Sequence, residues 1–425
     1  MRSSRPVIRS TPSGGASWRT RSCPNAYGCA PMVDVYDVTT VVNGNEVLAG
    51  RIYRTRASGS FEYDSGYLRM RTAFELAPAL GLFPGAQPLL PNNPFGDSAP
   101  DTWGRKVQNR AAGRRLDELT LMFGVNDEGR QGATRFWADG VAVAPGDGVP
   151  VEADLADIIH VADQVERGEQ DIDDVAVRRL FRATGSLGGA RPKANVRIGA
   201  DLWLAKFPKP VGDEWNVMAW EGVMLDAMGA VGIDVPPHQT KRIAVDGIER
   251  TVLFLKRFDR REDDIRVPYI SAMTALEATD GEGGDWLDVV DFAQVSGSDT
   301  TELWRRAVFG ALIGNLDDHL RNHGFLRWGA DWRPSPAFDV NPEPLSDGNE
   351  HQLSLFGNRD LVLDSFLRRD ALDLFRVKQS EVTEFLDRLR PVVRRMPRVA
   401  EAHGADAVSI EMMATRIASA AAALG

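Results

Sequence analysis

The chain has 425 residues, more than a single hydrophobic core usually serves, so we expect two or three subdomains. Hydrophobic residues make up 43% of it and the formal net charge is −10, so bulk charge does not predict nucleic-acid binding. No apolar run approaches the ~20 residues that span a bilayer. This composition favours a cytoplasmic enzyme with no membrane association.

The two cysteines, Cys23 and Cys29, both lie in an N-terminal stretch rich in Arg, Ser, Pro and Gly. Two cysteines provide neither a disulfide framework nor a four-ligand zinc site, which favours a reducing compartment. Residues 1–31 lack the apolar segment of a secretory signal, and their composition predicts a disordered extension.

The first folded unit is predicted to be a β-rich subdomain over residues 32–145. Its alternating residues 34–42 and 47–53 flank Asn43-Gly44, a pair typical of the tight primed turn of a β-hairpin. A third strand near residues 60–63 would complete a small sheet.

A long Pro- and Asn-rich loop, residues 84–100, precedes a predicted helix over residues 102–116. The five basic residues of this helix are interpreted as a solvated face. A Gly, Pro and Asp cluster at residues 144–150 then predicts a domain boundary, and residues 151–166 predict another helix. A second unit is therefore expected over residues 150–265.

Residues 184–196 form a glycine-rich loop that leads into two predicted strands, the second of which ends near Lys206. Glycines let backbone N–H groups approach phosphate oxygens, and a strand lysine can neutralise phosphate charge. The loop matches neither G-x-G-x-x-G nor G-x-x-x-x-G-K-[ST], so by itself it also fits an ordinary turn between strands.

Lys206 stands between Trp- and Phe-containing segments, so it needs a partner that offsets the loss of hydration. Glu221, in a helix predicted over residues 215–228, is the candidate. Asp213 and Glu214 compete with it for this role.

The most specific pattern is Asp317 with Asn322 five positions later, followed by Asp339. In protein kinases one Asp of the catalytic loop receives the hydroxyl proton, an Asn five residues on holds Mg²⁺, and a later Asp holds metal from the opposite side. The surrounding elements follow the kinase order of helix, polar loop, strand and turn, predicted at residues 304–313, 314–324, 325–328 and 332–336.

Together these motifs resemble the HipA family of serine/threonine kinases, the toxins of bacterial type II toxin–antitoxin systems. The resemblance rests on four motifs: Phe61-Glu62-Tyr63, the loop Ser186 to Lys193, Arg257-Phe258-Asp259-Arg260, and Gly314 to Asn322 with Phe338-Asp339-Val340. It implies an α+β, two-lobed protein-kinase-like fold with an N-terminal β-rich subdomain and a helical C-terminal lobe over residues 266–425.

For individual residues, the resemblance implies Asp317 as the catalytic base, with Asn322 and Asp339 as Mg²⁺ ligands. It implies ATP-binding roles for Gly188, Gly189, Ala190, Lys193, Lys206, Glu221, Lys256 and Phe258, the last two near the adenine. Ser186 matches the loop serine whose autophosphorylation is associated with an inactive state. A phosphate there would add about −1.5 to −2 charge beside a loop that binds ATP phosphates.

The resemblance also implies the partners. These are a translation-related protein substrate such as an aminoacyl-tRNA synthetase and a small helix-turn-helix antitoxin, with DNA reached only indirectly through the antitoxin. An arginine cluster within residues 388–398 is interpreted as a solvated face, with contact to antitoxin-bound DNA as the alternative.

Two other functions stay open. His319 and His323, four positions apart, could join Asp317 or Asp318 in a metal-dependent phosphohydrolase site, if this segment were helical. The second open function is that of a kinase-like binding protein that has lost catalysis and acts within a toxin–antitoxin complex. Within the kinase hypothesis, His319 is either a contact of the transferred phosphoryl group or a structural hydrogen-bonding residue.

Overall fold

The structure is a computed structural model that describes residues 34–55, 59–89, 93–144, 148–185, 191–279, 281–345 and 350–425. A unit with a six-stranded sheet, a unit with a four-stranded sheet and a mainly helical C-terminal lobe follow one another along the described chain. The main cavity lies where these parts meet.

The N-terminal unit contains an antiparallel sheet of six strands in the order β4-β3-β2-β1-β5-β6. The predicted hairpin and third strand are confirmed, and Asn43 and Gly44 adopt the positive φ angles, 50° and 80°, of a primed turn. The strands are β1 (Asp34–Val42), β2 (Asn45–Arg54), β3 (Gly59–Tyr63), β4 (Gln87–Pro88), β5 (Arg135–Ala138) and β6 (Val141–Ala142).

Three helices belong to the same unit, α1 (Ser65–Leu68), α2 (Thr102–Ala112) and α3 (Glu118–Gly124). Helix α2 ends four residues before the predicted end, because Gly113 adopts a left-handed conformation, φ 63°, and caps the helix. At the other end, the carboxylate of Asp101 caps the helix by accepting the Gly104 N–H.

The second sheet has four antiparallel strands in the order β7-β8-β10-β9. Because side chains alternate along a strand, Val252 and Phe254 pack in the cluster beneath α4 and α5, whereas Leu253 and Leu255 pack against α6. The elements are β7 (Lys193–Ile198), β8 (Asp201–Lys206), β9 (His238–Val245), β10 (Ile248–Lys256), α4 (Leu155–Glu166), α5 (Asp174–Ala183) and α6 (Val217–Ala230).

The C-terminal lobe is mainly helical and holds the largest apolar core. Its short strands are β11 (Tyr269–Ser271), β12 (Gly284–Asp285), β13 (Gly324–Trp328), β14 (Asp331–Pro334), β15 (Glu350–Leu355) and β16 (Asn358–Asp360). Its helices are α7 (Ala272–Ala275), α8 (Trp286–Val295), α9 (Thr301–Ile313), α10 (Leu363–Leu367), α11 (Arg369–Phe375), α12 (Gln379–Ala402) and α13 (Ala407–Leu424).

Two predictions for this lobe are wrong. Residues 332–336 were expected to form a turn, but β14 pairs with β13 there and the turn lies earlier, at Gly329, which has a φ of 62°. The hydrophobic pattern of residues 370–389 predicts one amphipathic helix, but Arg376 adopts a left-handed conformation that separates α11 from α12. Both errors arise from local backbone conformation that the hydrophobic pattern does not specify.

Helix α13 is the one described helix whose length and apolar composition would allow it to cross a membrane, although the sequence showed no apolar run near 20 residues. Its buried side chains, including Met413, Ile417 and Leu424, belong to the core of the C-terminal lobe. A single helix of this kind is weak evidence for a membrane span.

Candidate functional site

A cavity of about 550 Å³ lies between the four-stranded sheet, the C-terminal lobe and the N-terminal unit. Seven of the residues predicted from the sequence line this cavity: Lys193, Lys206, Lys256, Phe258, Asp317, His319 and Asp339. The structure therefore brings residues from β7, β8, β10 and two C-lobe loops to one place.

Lys206 is buried at the end of β8 and contacts two carboxylates. Its Nζ donates to Glu221 Oε1 at 2.7 Å and to Asp339 Oδ1 at 2.8 Å. Burial alone would lower the lysine pKa, but Asp339 and Glu221 reverse that effect and hold the pKa above its usual value. Lys206 is therefore a buried cation that remains charged.

Glu221 lies on the face of α6 that packs against the sheet, where its side chain is 1% exposed. The predicted Lys206–Glu221 pair is thus present. The competing acids are elsewhere: Asp213 accepts a hydrogen bond from Arg191, and Glu214 is exposed.

Asp339 has a left-handed backbone, with φ 58°, which is uncommon for a residue with a side chain and tolerated by Asp better than by most. Its carboxylate faces Lys206 and the Nδ2 of Asn341, 3.2 Å from Oδ1. Burial raises the Asp339 pKa, but Lys206 and Lys193 outweigh this and lower it below its usual range. Asp339 is therefore held as a carboxylate.

Asp317 lies in the loop after α9, which ends at Gly314 in a left-handed conformation, φ 67°. Burial raises the pKa of the Asp317 carboxyl, Asp339 adds to this effect, and the His319 charge opposes it, so that the pKa is raised overall. A carboxyl with a raised pKa is a better proton acceptor than an exposed one.

Asn322 does not line the main cavity. It lies behind the loop, beside a separate cavity of about 20 Å³, where its Nδ2 donates to the Asp317 carbonyl at 3.3 Å. Its Oδ1 is buried and has no hydrogen-bond partner among the described residues. In this conformation Asn322 holds the backbone of Asp317.

The two histidines are also separated. His319 faces the main cavity, whereas His323 is buried beside the small cavity, with Nε2 2.9 Å from Asp318 and its ring 4.7 Å from that of Trp286. The loop is not an α-helix, and the described residues contain no cluster of three or more His, Cys, Asp or Glu suited to a metal. The structure therefore does not support the two-histidine hydrolase site.

The end of the cavity near the β10 terminus is apolar, with Leu204, Pro236 and Leu255 in its walls. Phe258 lies there with its ring centroid 5.6 Å from that of Phe338. The Lys256 ammonium is turned toward Asp201, at 2.8 Å, and is 37% exposed. This part of the cavity has the apolar lining that suits an aromatic base.

The N-terminal unit contributes cavity residues that sequence reasoning missed, among them Asp97, Asp101 and Gln131. The carboxylate of Asp101 accepts a hydrogen bond from Lys193 Nζ at 2.6 Å. In the sequence Asp101 is recognisable only as a residue suited to cap α2. Its approach to Lys193, 92 positions later, depends on how the two units pack.

The strand-end motif Arg257 to Arg260 forms a buried ion-pair network around Asp259. This carboxylate accepts from Arg257 at 2.6 Å and from Arg260 at 2.8 Å, and also from the N–H of Gly132 at 2.7 Å. Burial raises the Asp259 pKa, but the two arginines lower it well below its usual range. The network joins the β10 end to the 128–132 loop of the N-terminal unit.

Four predicted loop residues, Ser186, Gly188, Gly189 and Ala190, lie outside the described residues. Arg191, which follows them, lines the main cavity. The predicted nucleotide and autophosphorylation roles of this loop stay predictions.

The cavity also offers a set of oxygen atoms that fits a hard divalent cation. The Asp339 and Asp317 carboxylates face it, and Asn341 Oδ1 is buried there without a hydrogen-bond partner among the described residues. Carboxylate and amide oxygens are the ligands that Mg²⁺ takes in proteins. The lysines beside them, Lys193 and Lys206, suit the phosphates of a nucleotide.

Residues 185–400, just over half of the chain, match the family model of the HipA-like C-terminal domain. HipA of Shewanella oneidensis MR-1, solved with HipB and operator DNA, is similar with a TM-score of 0.66 and 14% identity, covering 92% of this chain and 96% of its own. The proinflammatory kinase CtkA of Helicobacter pylori is similar with a TM-score of 0.41 and 17% identity, covering 56% and 93%. No curated protein matches the chain.

The similarity to the Shewanella structure extends over nearly the whole of both chains. The predicted α+β, two-lobed kinase-like fold with an N-terminal β-rich unit is confirmed.

Proposed function

The chain belongs to the HipA family, and from this premise we propose that it is an ATP- and Mg²⁺-dependent serine/threonine protein kinase. The observation that carries the proposal is the meeting of Lys206, Asp339 and Asp317 in one cavity, with Lys206 paired to Glu221. A strand lysine set by a helix glutamate, a metal-binding aspartate and a base aspartate are the parts that phosphoryl transfer uses.

In this proposal the lysines bind and orient the nucleotide. Lys206 contacts the phosphates, and its pairing with Glu221 keeps it charged and in position. Lys193 adds a second positive charge from β7. The apolar walls near Phe258 receive the adenine, while Lys256 lies at the rim.

Asp317 orients the substrate hydroxyl and accepts its proton. A bond then forms between the hydroxyl oxygen and the γ-phosphorus, the bond from that phosphorus to the β–γ bridging oxygen breaks, and ADP leaves. His319 lines the same cavity and contacts the transferred group. Positioning and charge stabilisation supply most of the acceleration, since little covalent chemistry falls to the protein.

Asp339 and Asn341 would hold the cation, with Asn322 joining them if its side chain turns toward the cavity. Mg²⁺, when bound, neutralises charge on the phosphate oxygens. Lys206 and Asp339 are in contact in the described state, so their separation by a nucleotide and cation would accompany binding.

For partners and regulation, we propose a translation-related protein substrate such as an aminoacyl-tRNA synthetase and a helix-turn-helix antitoxin, with DNA reached through the antitoxin. The Shewanella protein was solved with HipB and operator DNA, which supports the antitoxin. Autophosphorylation of Ser186 would place negative charge beside the nucleotide site and oppose ATP binding. A cytoplasmic location goes with these partners.

The test is intact and peptide mass spectrometry of the purified protein, before and after incubation with Mg²⁺ and ATP. We expect one added phosphate that maps to the peptide containing Ser186, and none in the Asp317→Asn variant. The matched control is Asp364→Asn, an exposed carboxylate of the same lobe outside the cavity. If the parent protein is never phosphorylated, phosphorylates no protein and binds no nucleotide, the proposal fails, and a catalytically lapsed binding protein becomes the better description. If Asp317→Asn is as active as the control, Asp317 is not the catalytic base.

A further inference from the structure

A second cavity, of about 190 Å³, lies at the junction between the N-terminal hairpin and the β11–β13 sheet. Its walls include the Asn43-Gly44 turn, Phe74 and three arginines, Arg261, Arg266 and Arg327. We call it the arginine cavity. It is separate from the main cavity, with which it shares none of its lining residues.

The charge of the arginine cavity is unbalanced. Its described lining residues include three arginines and no Asp or Glu, in a chain whose net charge is −10. Elsewhere on the described chain, buried arginines such as Arg257 and Arg260 are paired with carboxylates. Of the three, Arg266 is paired with Asp127, whereas no described carboxylate pairs with Arg261 or Arg327. A cavity with this excess of guanidinium groups favours an anion.

Arg327 shows the arrangement most clearly. Its guanidinium carbon lies 4.2 Å from the ring centroid of Phe74 and 5.4 Å from that of Trp332. The side chain makes no hydrogen bond or ion pair with a described residue, and the carboxylate that acts on it from a distance, Asp331, is paired with Arg333. The rings orient the guanidinium and leave its N–H groups available.

Arg261 is held in a similar way, with its guanidinium carbon 4.1 Å from the ring centroid of Trp328, and its side chain has no carboxylate partner in the described part of the chain. Arg266 uses Nη2 to contact Asp127, while its Nη1 is buried and has no described hydrogen-bond partner. A buried N–H without an acceptor is unfavourable, so an acceptor supplied by a ligand would relieve that loss.

We propose that the arginine cavity binds a phosphate group. A guanidinium donates in a planar fork that matches phosphate oxygens, and a dianion with several acceptor oxygens can satisfy three arginines at once, whereas one carboxylate has two oxygens. The cavity is large enough for a phosphate group and too small for a whole nucleoside triphosphate.

The position of the cavity gives this site a structural consequence. Phe258 and Tyr269 line the main cavity, and between them in the chain Arg261, Arg266 and Pro268 line the arginine cavity. The segment connecting the four-stranded sheet to the C-terminal lobe therefore runs along both. A phosphate bound by these arginines would hold this connection against the N-terminal unit.

The first measurement is calorimetric titration of the full-length protein with inorganic phosphate, at constant ionic strength in chloride. We expect saturable binding that Arg261→Gln and Arg327→Gln each weaken by about tenfold or more, since each removes hydrogen bonds to a charged ligand. The matched control, Arg369→Gln, removes one positive charge from an exposed position on α11 outside the cavity and should leave the affinity unchanged. Arg327→Lys keeps the charge without the planar fork and tests whether the fork matters.

The main cavity could also hold phosphate, so Lys206→Gln is titrated in parallel. Binding that survives Lys206→Gln and is lost in Arg261→Gln supports the arginine cavity, whatever the outcome for kinase activity. Binding lost in Lys206→Gln alone, or no saturable binding, overturns the proposal.

Titration with phosphoserine identifies the source of the phosphate group. Tighter binding than that of inorganic phosphate indicates a phosphate carried on a residue, and equal binding indicates the free ion. Thermal unfolding of each variant confirms that it is folded.

Discussion

The carboxylate of Asp101 lies 2.6 Å from the ammonium of Lys193, and the two side chains are only 5% and 4% exposed. This ion pair joins the start of α2 in the N-terminal unit to the first strand of the four-stranded sheet, at the edge of the main cavity. Burial raises the Asp101 pKa, and Lys193 only partly opposes that effect. The N-terminal unit thus supplies the counter-charge of a lysine in the candidate nucleotide site.

We expect Asp101→Asn to lower the free energy of unfolding by about 3 kcal/mol, the low end of the cost of breaking a buried pair, because Asp339 still acts on Lys193. Asn caps helices as well as Asp, so the cap itself should survive. Urea unfolding measures the change. Asp117→Asn, at the cap of α3, is the control, because its carboxylate is 61% exposed and its loss should cost less than about 1 kcal/mol. Equal effects at the two positions would show that the buried pair is not responsible.

Lys206→Met should weaken nucleotide binding by about tenfold or more, since it removes a charged hydrogen bond to the phosphates and leaves Glu221 and Asp339 facing each other without a cation. Titration with a fluorescent ATP analogue measures the affinity. Lys241→Met on β9, whose ammonium pairs with Glu152 away from the cavity, is the matched control. If both variants bind alike, Lys206 does not contact the nucleotide.

On acidification, kinase activity should be lost at a higher pH than it would be if the catalytic base were an aspartate with an ordinary pKa. Asp317 acts as a base only when deprotonated, and burial raises its pKa, so activity is lost as the pH falls through that raised value. His319→Gln removes a positive charge that lowers the Asp317 pKa, and should move the acid limb further up the pH scale. The measurement is kcat/KM against pH for both proteins. An acid limb that does not move in His319→Gln would contradict the proposed coupling.

A histidine pair around Asp226 predicts a second pH dependence, this time of stability. His238 has Nε2 3.0 Å from Asp226 and Nδ1 2.9 Å from the Pro236 carbonyl, and His403 Nε2 lies 3.0 Å from the other Asp226 oxygen. Both nitrogens of His238 face acceptors, so the protonated ring can donate to both. Burial lowers the His238 pKa, but Asp226 raises it above its usual value overall.

Because the folded-state pKa of His238 is raised, its contribution to stability is fully present below its unfolded pKa and is lost as the pH rises through the folded value. The pKa of Asp226 is lowered, first by the hydrogen bonds from His238 and His403, so its contribution is present above its unfolded pKa and is lost only in strong acid. Asp226→Asn should therefore lower Tm most near pH 6 and least near pH 9.

Differential scanning calorimetry of the parent protein and of Asp226→Asn, from pH 6 to pH 9, measures the Tm difference and checks the prediction. The control is Asp246→Asn, because Asp246 pairs with His160 at 2.7 Å but both side chains are about half exposed, so little dependence on pH is expected. A Tm difference for Asp226→Asn that stays constant from pH 6 to pH 9 would contradict the stabilising pair between protonated His238 and Asp226.

Local patterns in the sequence were sufficient to predict the hairpin and the helix before Asp317, because turn residues and hydrophobic periodicity act over a few residues. They also led to the Lys206–Glu221 pair, which follows from the need of a buried lysine for a counter-charge. The same patterns misplaced the turn after β13 and the break at Arg376, where single left-handed residues decide the backbone.

The sequence by itself determined which chemical groups the site contains, namely two lysines and the aspartates Asp317 and Asp339. Only the tertiary structure decided which of these face the same cavity. It placed Asp101 and Asn341 there and moved Asn322 and His323 behind the loop. It also brought three arginines together in another cavity, where only Arg266 has a described carboxylate partner. The physical reason is that ion pairing and burial act between side chains far apart in the chain, and packing of the units alone sets those distances.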